Sequence, residues 1–407
     1  MTSFVGTSGD DHFGGTSDAD SYDLALGGED TIKAGDGGDT VNMGGALDAG
    51  DQIDGGAGAD TLYLDGDYSA GLVLAANTIR NIETINLAGG HDYDLALADG
   101  NLTGLDKLVL SASGAKGDRL TLDGSALGGD HGLELHLSNE IASVTGGAGS
   151  DTVFVSGTGR INFQGGDGRD FLLMFRAITR GDHFEGGPAD DADSLGLYVG
   201  STIKFADNAM SQIRQLALHG GNYDLTLADG NVGAGETLTI FANDLFDGEF
   251  SRFDAHAERD GFIEYLGSVE ADTVVGGRSG DNLIGFNGDD LLTGGRGADQ
   301  LTGGDGADHF IYLAATDSDD SFGVDEISDL QAGDVIDLSA IDTNSKKAGD
   351  QAFHLVEAFT HHIGELTLSY DPGSNLTALA GDVNGDGVAD MVIHIDGDAT
   401  GFQGLAL

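Results

Sequence analysis

The sequence predicts an all-β fold: a parallel β-roll or β-helix solenoid, followed by a β-rich C-terminal capping domain. The main observation is a set of four nine-residue units in phase, which begin at Gly276, Gly285, Gly294 and Gly303. An Asp recurs at every sixth place and a large apolar residue at every eighth (Asp281, Asp290, Asp299 and Asp308; Leu283, Leu292, Leu301 and Phe310). Elsewhere, apolar and polar residues alternate between Gly-rich turns, which is typical of strands. The chain has 70 Gly and only 2 Pro, a composition that suits coils and turns.

The nonapeptide spacing predicts a hard cation as well as a fold. Six residues form a turn and three form a strand, so only the eighth side chain of each unit enters the core. One apolar residue in nine cannot offset a backbone ordering cost of about 1–2 kcal/mol per residue. Stacked turns also bring carboxylates together, and these repel one another. Calcium accepts carboxylate and carbonyl oxygens, so binding and folding become one event. The alternative is a disordered Gly/Asp-rich linker. It is disfavoured because the four units follow one another in tandem and each has an apolar eighth residue.

These units resemble the repeats-in-toxin (RTX) family, the secreted calcium-binding proteins of Gram-negative bacteria. In that family an ion lies between one turn and the turn two units later. It is held by the second, fourth and sixth residues of the earlier turn and by the first, third and sixth of the later one. The resemblance implies one ion held by Gly277, Ser279, Asp281, Gly294, Arg296 and Asp299. It implies a second ion held by Phe286, Gly288, Asp290, Gly303, Asp305 and Asp308. Apart from the Asp residues and Ser279, these contacts would be main-chain carbonyls.

Looser copies of the unit occur in the first half of the chain. Further calcium ligands are expected at their Asp residues (Asp11, Asp20, Asp30, Asp39, Asp60, Asp151 and Asp170). For the series from Asp11 to Asp51, plain β-turns without metal are the alternative.

A second, longer repeat suggests the domain organisation. Residues 82–101 are echoed by residues 213–231, and each copy ends in Ala-Asp-Gly-Asn. We therefore expect a first solenoid module over 1–135, a second over 136–266, the nonapeptide roll over 267–311 and the capping domain over 312–407. Short helical turns are expected at 77–82 and 207–213.

The C-terminal segment has a different pattern. It contains Asp325-Glu-Ile-Ser-Asp-Leu, Gly364-Glu-Leu-Thr-Leu-Ser-Tyr and Gly381-Asp-Val-Asn-Gly-Asp-Gly. This order is similar to the C-terminal domain of serralysin-like metalloproteases, which implies a cap on the roll and a signal for type I secretion. Asp382, Asn384 and Asp386 also resemble a calcium loop. An EF-hand would need Glu at its twelfth place, where Ile393 stands, so an Asx-rich turn is the alternative.

Composition excludes several classes of function. The chain has 70 acidic and 17 basic residues and a formal net charge of −53, so nucleic acid is not expected as a partner. It has no Cys, which excludes disulfides and thiolate chemistry. No apolar run is long enough to span a membrane. The N-terminus lacks the pattern of a cleaved signal. We therefore expect an extracellular protein, exported by the type I machinery of a Gram-negative bacterium without a cleaved N-terminal signal.

The sequence predicts that the protein is not an enzyme. None of the 12 His residues lies in a His-Glu-x-x-His zinc motif, and no Gly-x-Ser-x-Gly elbow or phosphate-binding loop is present. The predicted function is that of a secreted RTX protein that binds several calcium ions and folds with them. It would be a structural surface-layer, matrix or adhesion component, with cell-surface polysaccharide or itself as partner. The alternatives are a polysaccharide-acting enzyme or accessory module, and a calcium-triggered self-assembling polymer.

Overall fold

The computed structural model describes residues 1–129, 131–188, 192–343 and 351–407. The predicted fold class is confirmed, because short strands joined by turns pair in parallel to form the two faces of a β-solenoid. The chain separates into two compact units, Met1–Leu197 and Tyr198–Leu407. The predicted boundaries after residues 135, 266 and 311 stay a prediction.

In the first unit, one face is a row of parallel strands that each begin after a turn. They are Ser3–Val5, Ser21–Asp23, Thr40–Gly44, Thr61–Leu64, Thr84–Leu87, Lys107–Ala112, Gly132–Leu137, Thr152–Val155, Phe171–Met174 and Ser194–Leu197. The other side has two parallel rows. The first is His12–Gly14, Thr31–Lys33, Gln52–Asp54 and Ile79–Arg80. The second is Tyr68–Leu74, Tyr93–Leu97, Arg119–Asp123, Ile141–Thr145, Ile161–Gln164 and His183–Glu185.

The second unit repeats this arrangement. One face consists of Gln215–His219, Thr237–Asp244, Phe262–Leu266, Asn282–Asn287, Gln300–Asp305 and Asp325–Ile327. The other consists of Thr202–Lys204, Tyr223–Thr226, Ser251–Asp254, Thr273–Val275, Leu291–Thr293, His309–Ile311, Val335–Asp337 and Leu405–Ala406. A further short strand is Met210–Ser211.

The eighth residues of the nonapeptides form the core of the roll. Leu283 and Leu301 pair in register on one face, and Leu292 and Phe310 pair on the other. All four are fully buried. Two nonapeptides therefore complete one turn of the coil, and consecutive units contribute strands to opposite faces.

The C-terminal segment closes the second unit with antiparallel strands. Glu365–Asp371, Leu376–Asp382 and Met391–Asp396 form an antiparallel sheet, and His354–Leu355 pairs with the first of them. Met391–Asp396 also pairs in parallel with Asp325–Ile327, so the cap extends one face of the roll directly.

The two expected helical turns are wrong. Residues 77–82 and 207–213 form turns that lead into Ile79–Arg80 and Met210–Ser211. Asn81, Asn208 and Gln212 take φ values of 48°, 57° and 56°, a left-handed conformation that a right-handed helix cannot contain. Within the described ranges, the helical segments are two 3₁₀ turns, Asp99–Leu102 and Ala315–Asp317.

Candidate metal centres

The sixth-place aspartates of the second unit stack into two rows. In each row the backbone N–H of one Asp donates to Oδ1 of the Asp one coil turn later. One row runs from Asp281 to Asp299 (2.8 Å) and Asp325 (3.0 Å). The other runs from Asp272 to Asp290 (2.7 Å), Asp308 (2.9 Å) and Asp334 (3.1 Å). All of these side chains are buried, so each turn places a carboxylate inside the stack.

The same rows occur in the first unit. The donors and acceptors are Asp20 to Asp39 (2.6 Å), Asp39 to Asp60 (2.7 Å), Asp11 to Asp30 (2.9 Å), Asp30 to Asp51 (2.7 Å) and Asp151 to Asp170 (2.8 Å). The structure thus brings the looser units predicted from the sequence into the same arrangement as the four regular ones.

The second carboxylate oxygen, Oδ2, divides these turns into two classes. In closed turns it accepts an N–H from the second residue of its own turn. The pairs are Thr7 with Asp11, Thr16 with Asp20, Gly147 with Asp151, Ser268 with Asp272 and Gly277 with Asp281. In open turns Oδ2 is buried and, within the described part of the chain, has no hydrogen-bond partner (Asp30, Asp39, Asp60, Asp290, Asp299, Asp308 and Asp325).

The backbone conformation of the second residue accounts for most of this division. In five of the seven open turns it is left-handed, with φ between 74° and 104° (Gly35, Gly56, Phe286, Gly295 and Gly304). None of the second residues of the closed turns takes a positive φ. A left-handed residue turns its N–H away from the carboxylate. Phe286 adopts this conformation at a cost of about 1–2 kcal/mol, which is typical of strain retained at a functional site.

Several oxygens of the first predicted ligand set lie close to glycines in the stacked turns, while the set as a metal site stays a prediction. A Cβ on Gly276 would collide with Oδ2 of Asp281 and with the carbonyl oxygen of Gly294. The carbonyl oxygen of Ser279 lies 2.5 Å from the place of a Cβ on Gly297. The carbonyl of Gly277 accepts the N–H of Arg296 at 3.3 Å.

The second predicted set has the same geometry. A Cβ on Gly285 would collide with Oδ2 of Asp290 and approach the carbonyl oxygen of Gly303 to 2.6 Å. The carbonyl oxygens of Phe286 and Gly288 occupy the space of a Cβ on Gly304 and on Gly306, respectively. The carbonyl of Asp305 accepts the N–H of Gly288 at 3.0 Å. Glycine at these places allows carboxylate and carbonyl oxygens of the stacked turns to approach the backbone closely.

Burial makes these carboxylates unfavourable as free anions. It raises the pKa of Asp281 and Asp290 to about 7 and that of Asp60 and Asp151 to about 6. A buried anion without a counter-charge is strongly disfavoured. The predicted sites offer only oxygen ligands, and these include buried carboxylates whose Oδ2 atoms lack a partner among the described residues. Such sites fit calcium, which binds through carboxylates and carbonyls.

One turn of the first unit uses an internal cation instead. The Arg176 guanidinium donates to both oxygens of Asp182, at 2.7 and 2.8 Å, and both side chains are buried. Oδ1 of Asp182 also accepts the N–H of Ile161 at 3.1 Å, as its counterparts do in the other rows. The position next to this stacked Asp therefore favours positive charge.

The C-terminal loop that resembles a calcium loop has its oxygens engaged within itself. Asp382 accepts N–H groups from Asn384, Gly385 and Gly387, at 3.1, 2.6 and 2.7 Å. Oδ1 of Asn384 accepts the N–H of Asp386, and Asp386 accepts that of Val388. This geometry corresponds to the Asx-rich turn that the sequence left open, while Asp382, Asn384 and Asp386 as metal ligands stay a prediction.

Sequence reasoning missed Asp272, Asp325 and Asp334 as members of the rows. Gly267 begins a unit nine residues before Gly276, with Asp272 sixth and Val274 eighth, so phase alone could have found it. Asp325 and Asp334 are each followed, two residues later, by a buried Ile, the Asp-x-apolar signature of the other turns.

Comparison with known families identifies the chain. Residues 46–68 match the family model described as RTX calcium-binding nonapeptide repeat (4 copies). Residues 102–404, most of the chain, match the model described as Peptidase M10 serralysin C terminal. The chain belongs to the serralysin C-terminal family. This confirms both predicted resemblances, and the match begins well before the C-terminal segment on which the second resemblance rested. RTX repeats of this kind bind calcium, which confirms the predicted ion type.

Two curated relatives are similar over a short segment. The metallopeptidase AprA of Pseudomonas marginalis is 42% identical over 91 residues, which are 22% of this chain and 18% of that protein. The metalloprotease AprA of Pseudomonas entomophila is 40% identical over a segment of the same length and coverage. The matched segment thus spans less than a fifth of these relatives. In the part of the chain that the structure describes, no helix is long and apolar enough to cross a membrane.

Proposed function

We propose that this protein is exported by a type I system and folds outside the cell when calcium fills the spaces between its Asp-containing turns. We further propose that it is not an enzyme and serves as a structural surface-layer, matrix or adhesion component. The serralysin C-terminal match supports the export route, and the RTX repeats support the calcium dependence.

The observation that best supports calcium-dependent folding is the set of open turns. Each contains a buried Oδ2 without a hydrogen-bond partner within the described residues. The two predicted ion sets would hold calcium through carboxylates and through the carbonyls of turns two units apart. The bound ions would neutralise part of the net charge of −53 and so remove the repulsion between stacked carboxylates. At low calcium the same repulsion would keep the chain unfolded and competent for passage through a secretion channel.

Far-ultraviolet circular dichroism of the full chain tests this proposal. The chain is titrated with calcium, and with magnesium as a control, after removal of metal by a chelator. We expect β-structure to form cooperatively with calcium and much less with magnesium, which keeps its own water shell. A chain that is equally folded in chelator contradicts the proposal. Light scattering in the same titration tests the self-assembling alternative, which a persistent monomer would contradict.

A specific surface favours glycan binding as a second candidate function. On the outer side of the first unit, Tyr63, Asn86, Ser111, His136 and Phe154 lie at matching positions of neighbouring strands. They line a groove of about 610 Å³. The rings of His136 and Phe154 stack, with centroids 4.7 Å apart and planes 2° apart. Aromatic and polar side chains along one groove can contact both the apolar face and the hydroxyls of a sugar.

Isothermal titration with neutral oligosaccharides such as cellohexaose, in calcium, tests this candidate. Phe154→Ala should weaken binding about tenfold or more, which corresponds to roughly 1.4 kcal/mol. Phe262→Ala, which removes an exposed ring in the second unit, is the matched control. Equal binding by both variants and the wild type would exclude this groove. Release of shorter sugars from the ligand would instead support the polysaccharide-acting enzyme.

A further inference from the structure

Glu258 is a fully buried carboxylate outside the nonapeptide repeats. Its Oε1 atom accepts the N–H groups of Arg259 (3.0 Å), Asp260 (3.4 Å) and Gly261 (3.2 Å). Its Oε2 atom is buried and has no hydrogen-bond partner among the residues that the structure describes. A buried anionic oxygen without a partner is expensive to maintain, so its presence requires an explanation.

Two more carboxylates approach Glu258. Asp229, Glu258 and Asp260 each offer an oxygen within 4.8 Å of the others, which is the only group of three metal-ligating side chains found this close within the described ranges. Oδ1 of Asp229 is also buried without a hydrogen-bond partner there. Oδ2 of Asp229 accepts a hydrogen bond from Nη1 of Arg259 at 2.9 Å. The cluster therefore contains three carboxylates and one guanidinium, so its negative charges outnumber its positive charge.

The first copy of the long repeat shows that the fold does not need this glutamate. The turn from Asp123 to Leu127 has the same backbone hydrogen bonds as the turn from Asp254 to Glu258. Ser125 and His256 each donate an N–H to Oδ1 of the Asp two residues earlier. The N–H of Leu127 and that of Glu258 each donate to the carbonyl three residues earlier. Leu127 is 2% exposed, so the first copy buries an apolar side chain where the second buries a carboxylate.

The neighbouring aspartate differs in the same way between the copies. Asp99 and Asp229 occupy equivalent places, two residues before the structurally equivalent Asn101 and Asn231. In the first copy, Oδ1 of Asp99 accepts the N–H of Gly128 at 3.0 Å. In the second copy the corresponding N–H, that of Arg259, donates to Glu258 instead, and Oδ1 of Asp229 has no hydrogen-bond partner among the described residues. Within those residues, the second copy thus has two buried carboxylate oxygens without a hydrogen-bond partner, on neighbouring side chains.

We propose that Asp229, Glu258 and Asp260 bind a divalent cation that prefers oxygen ligands, and that this cation is calcium. The donors are carboxylate oxygens, which suit a hard cation. Asp260 is exposed, so water can complete the coordination from the solvent side. Glu258 lies on the turn next to the first nonapeptide, with its carbonyl oxygen 3.1 Å from the place of a Cβ on Gly277, but the proposed site uses none of the predicted nonapeptide ligands. Its failure would leave the proposed calcium-dependent folding intact.

The number of calcium ions bound per chain tests the proposal. It is measured on the full-length protein by equilibrium dialysis and atomic emission. Glu258→Leu copies the residue that the first repeat buries, and Glu258→Gln removes the charge with little change in shape. We expect each variant to bind one ion fewer than the wild type while circular dichroism in calcium shows the same β-structure. Asp247→Asn, which removes an exposed carboxylate from the loop before Ser251–Asp254, is the control and should bind the wild-type number.

An unchanged ion number in folded Glu258→Gln overturns the proposal and makes Glu258 a buried neutral acid. If the Glu258 variants do not fold, Asp260→Asn decides, because its exposed side chain is not needed for packing. We expect that variant to lose the same ion or to bind it at least tenfold more weakly. Wild-type ion number and affinity in Asp260→Asn also overturn the proposal. A general loss of calcium binding lowers the ion number by more than one. Glu258→Gln combined with Asp281→Asn should bind one ion fewer than Asp281→Asn alone, which separates this site from the adjacent nonapeptide site.

Discussion

Replacing Asp290 with Asn should destabilise the calcium-bound protein and stabilise the calcium-free chain. Oδ1 of Asp290 accepts the N–H of Asp272 at 2.7 Å, and Asn can keep this hydrogen bond. Oδ2 has no partner among the described residues, and it lies beside the carbonyl of Gly303 in the second predicted ion set. Asn places an N–H donor where a cation would need an acceptor. The substitution therefore changes the metal site while it conserves shape.

The magnitude follows from the position of Asp290 in its row. It is the sixth residue of a turn that stacks on both the Asp272 turn and the Asp308 turn, so it would contribute to two ions. One ion at about 100 times its dissociation constant adds roughly 2.7 kcal/mol to the free energy of unfolding. We expect a loss of about 3–5 kcal/mol in saturating calcium. In chelator the sign reverses, because the variant removes a carboxylate whose pKa burial raises to about 7.

Urea unfolding monitored by circular dichroism in saturating calcium measures the loss of stability, and the amount of β-structure that each chain retains in chelator measures the opposite effect. Asp289→Asn is the matched control, since it removes the same charge from the adjacent, exposed residue. Its Oδ1 accepts the N–H of Ala307 at 2.9 Å, which Asn can also do. Equal losses for the two variants in calcium would mean that net charge, and not a bound ion, determines stability. That result would refute the reasoning.

Three further predictions test other parts of the structure. Gly304→Ala should cost the calcium-bound protein about 1–3 kcal/mol or more, because φ is 102° and the new Cβ would collide with the carbonyl of Phe286; wild-type urea stability would contradict this. Arg176→Met should cost about 3–5 kcal/mol by leaving Asp182 buried without its counter-charge, and a thermal midpoint equal to that of the wild type would contradict it. The third concerns pH. Burial raises the pKa of Asp281 to about 7, so the calcium-free folded chain binds more protons than the unfolded one. The folded fraction of the calcium-free chain should therefore fall as pH rises from about 4 to about 7, and circular dichroism in chelator that shows β-structure increasing with pH over this range would contradict this.

The sequence predicted the roll because its signal is strictly local and periodic. The apolar eighth residues that define the phase are the residues that pair in register and fill the core, as Leu283 and Leu301 do. The turns at 77–82 and 207–213 could not be predicted in the same way. Their course depends on left-handed residues such as Asn81 and Gln212, and a single Asn or Gln gives little sign of that conformation in a sequence.

The sequence could predict which Asp residues stack, but it could not predict the hydrogen bonds that their carboxylates accept. The nine-residue spacing identified the Asp residues that stack, whereas the insertion between Phe310 and Asp325 hid a row member that follows a gap of 26 residues. The sequence also gave no means of separating Asp281 from Asp290. The difference lies in the φ of the second residue, which is left-handed at Phe286 and not at Gly277, so that only the N–H of Gly277 reaches its Asp.

The Oδ2 atoms of the stacked aspartates have three different environments, and these environments account for the excess of acidic residues in the chain. In closed turns a backbone N–H, sometimes with a hydroxyl as at Thr16, donates to the carboxylate. At Asp182 an arginine supplies the positive charge. In open turns such as that of Asp308, no such donor is present within the described residues. A chain that used arginine throughout would need about one basic residue per turn and would fold at any calcium concentration. With 70 acidic against 17 basic residues, this chain leaves most of that charge to be supplied from solution, so its folding can depend on the calcium concentration around it.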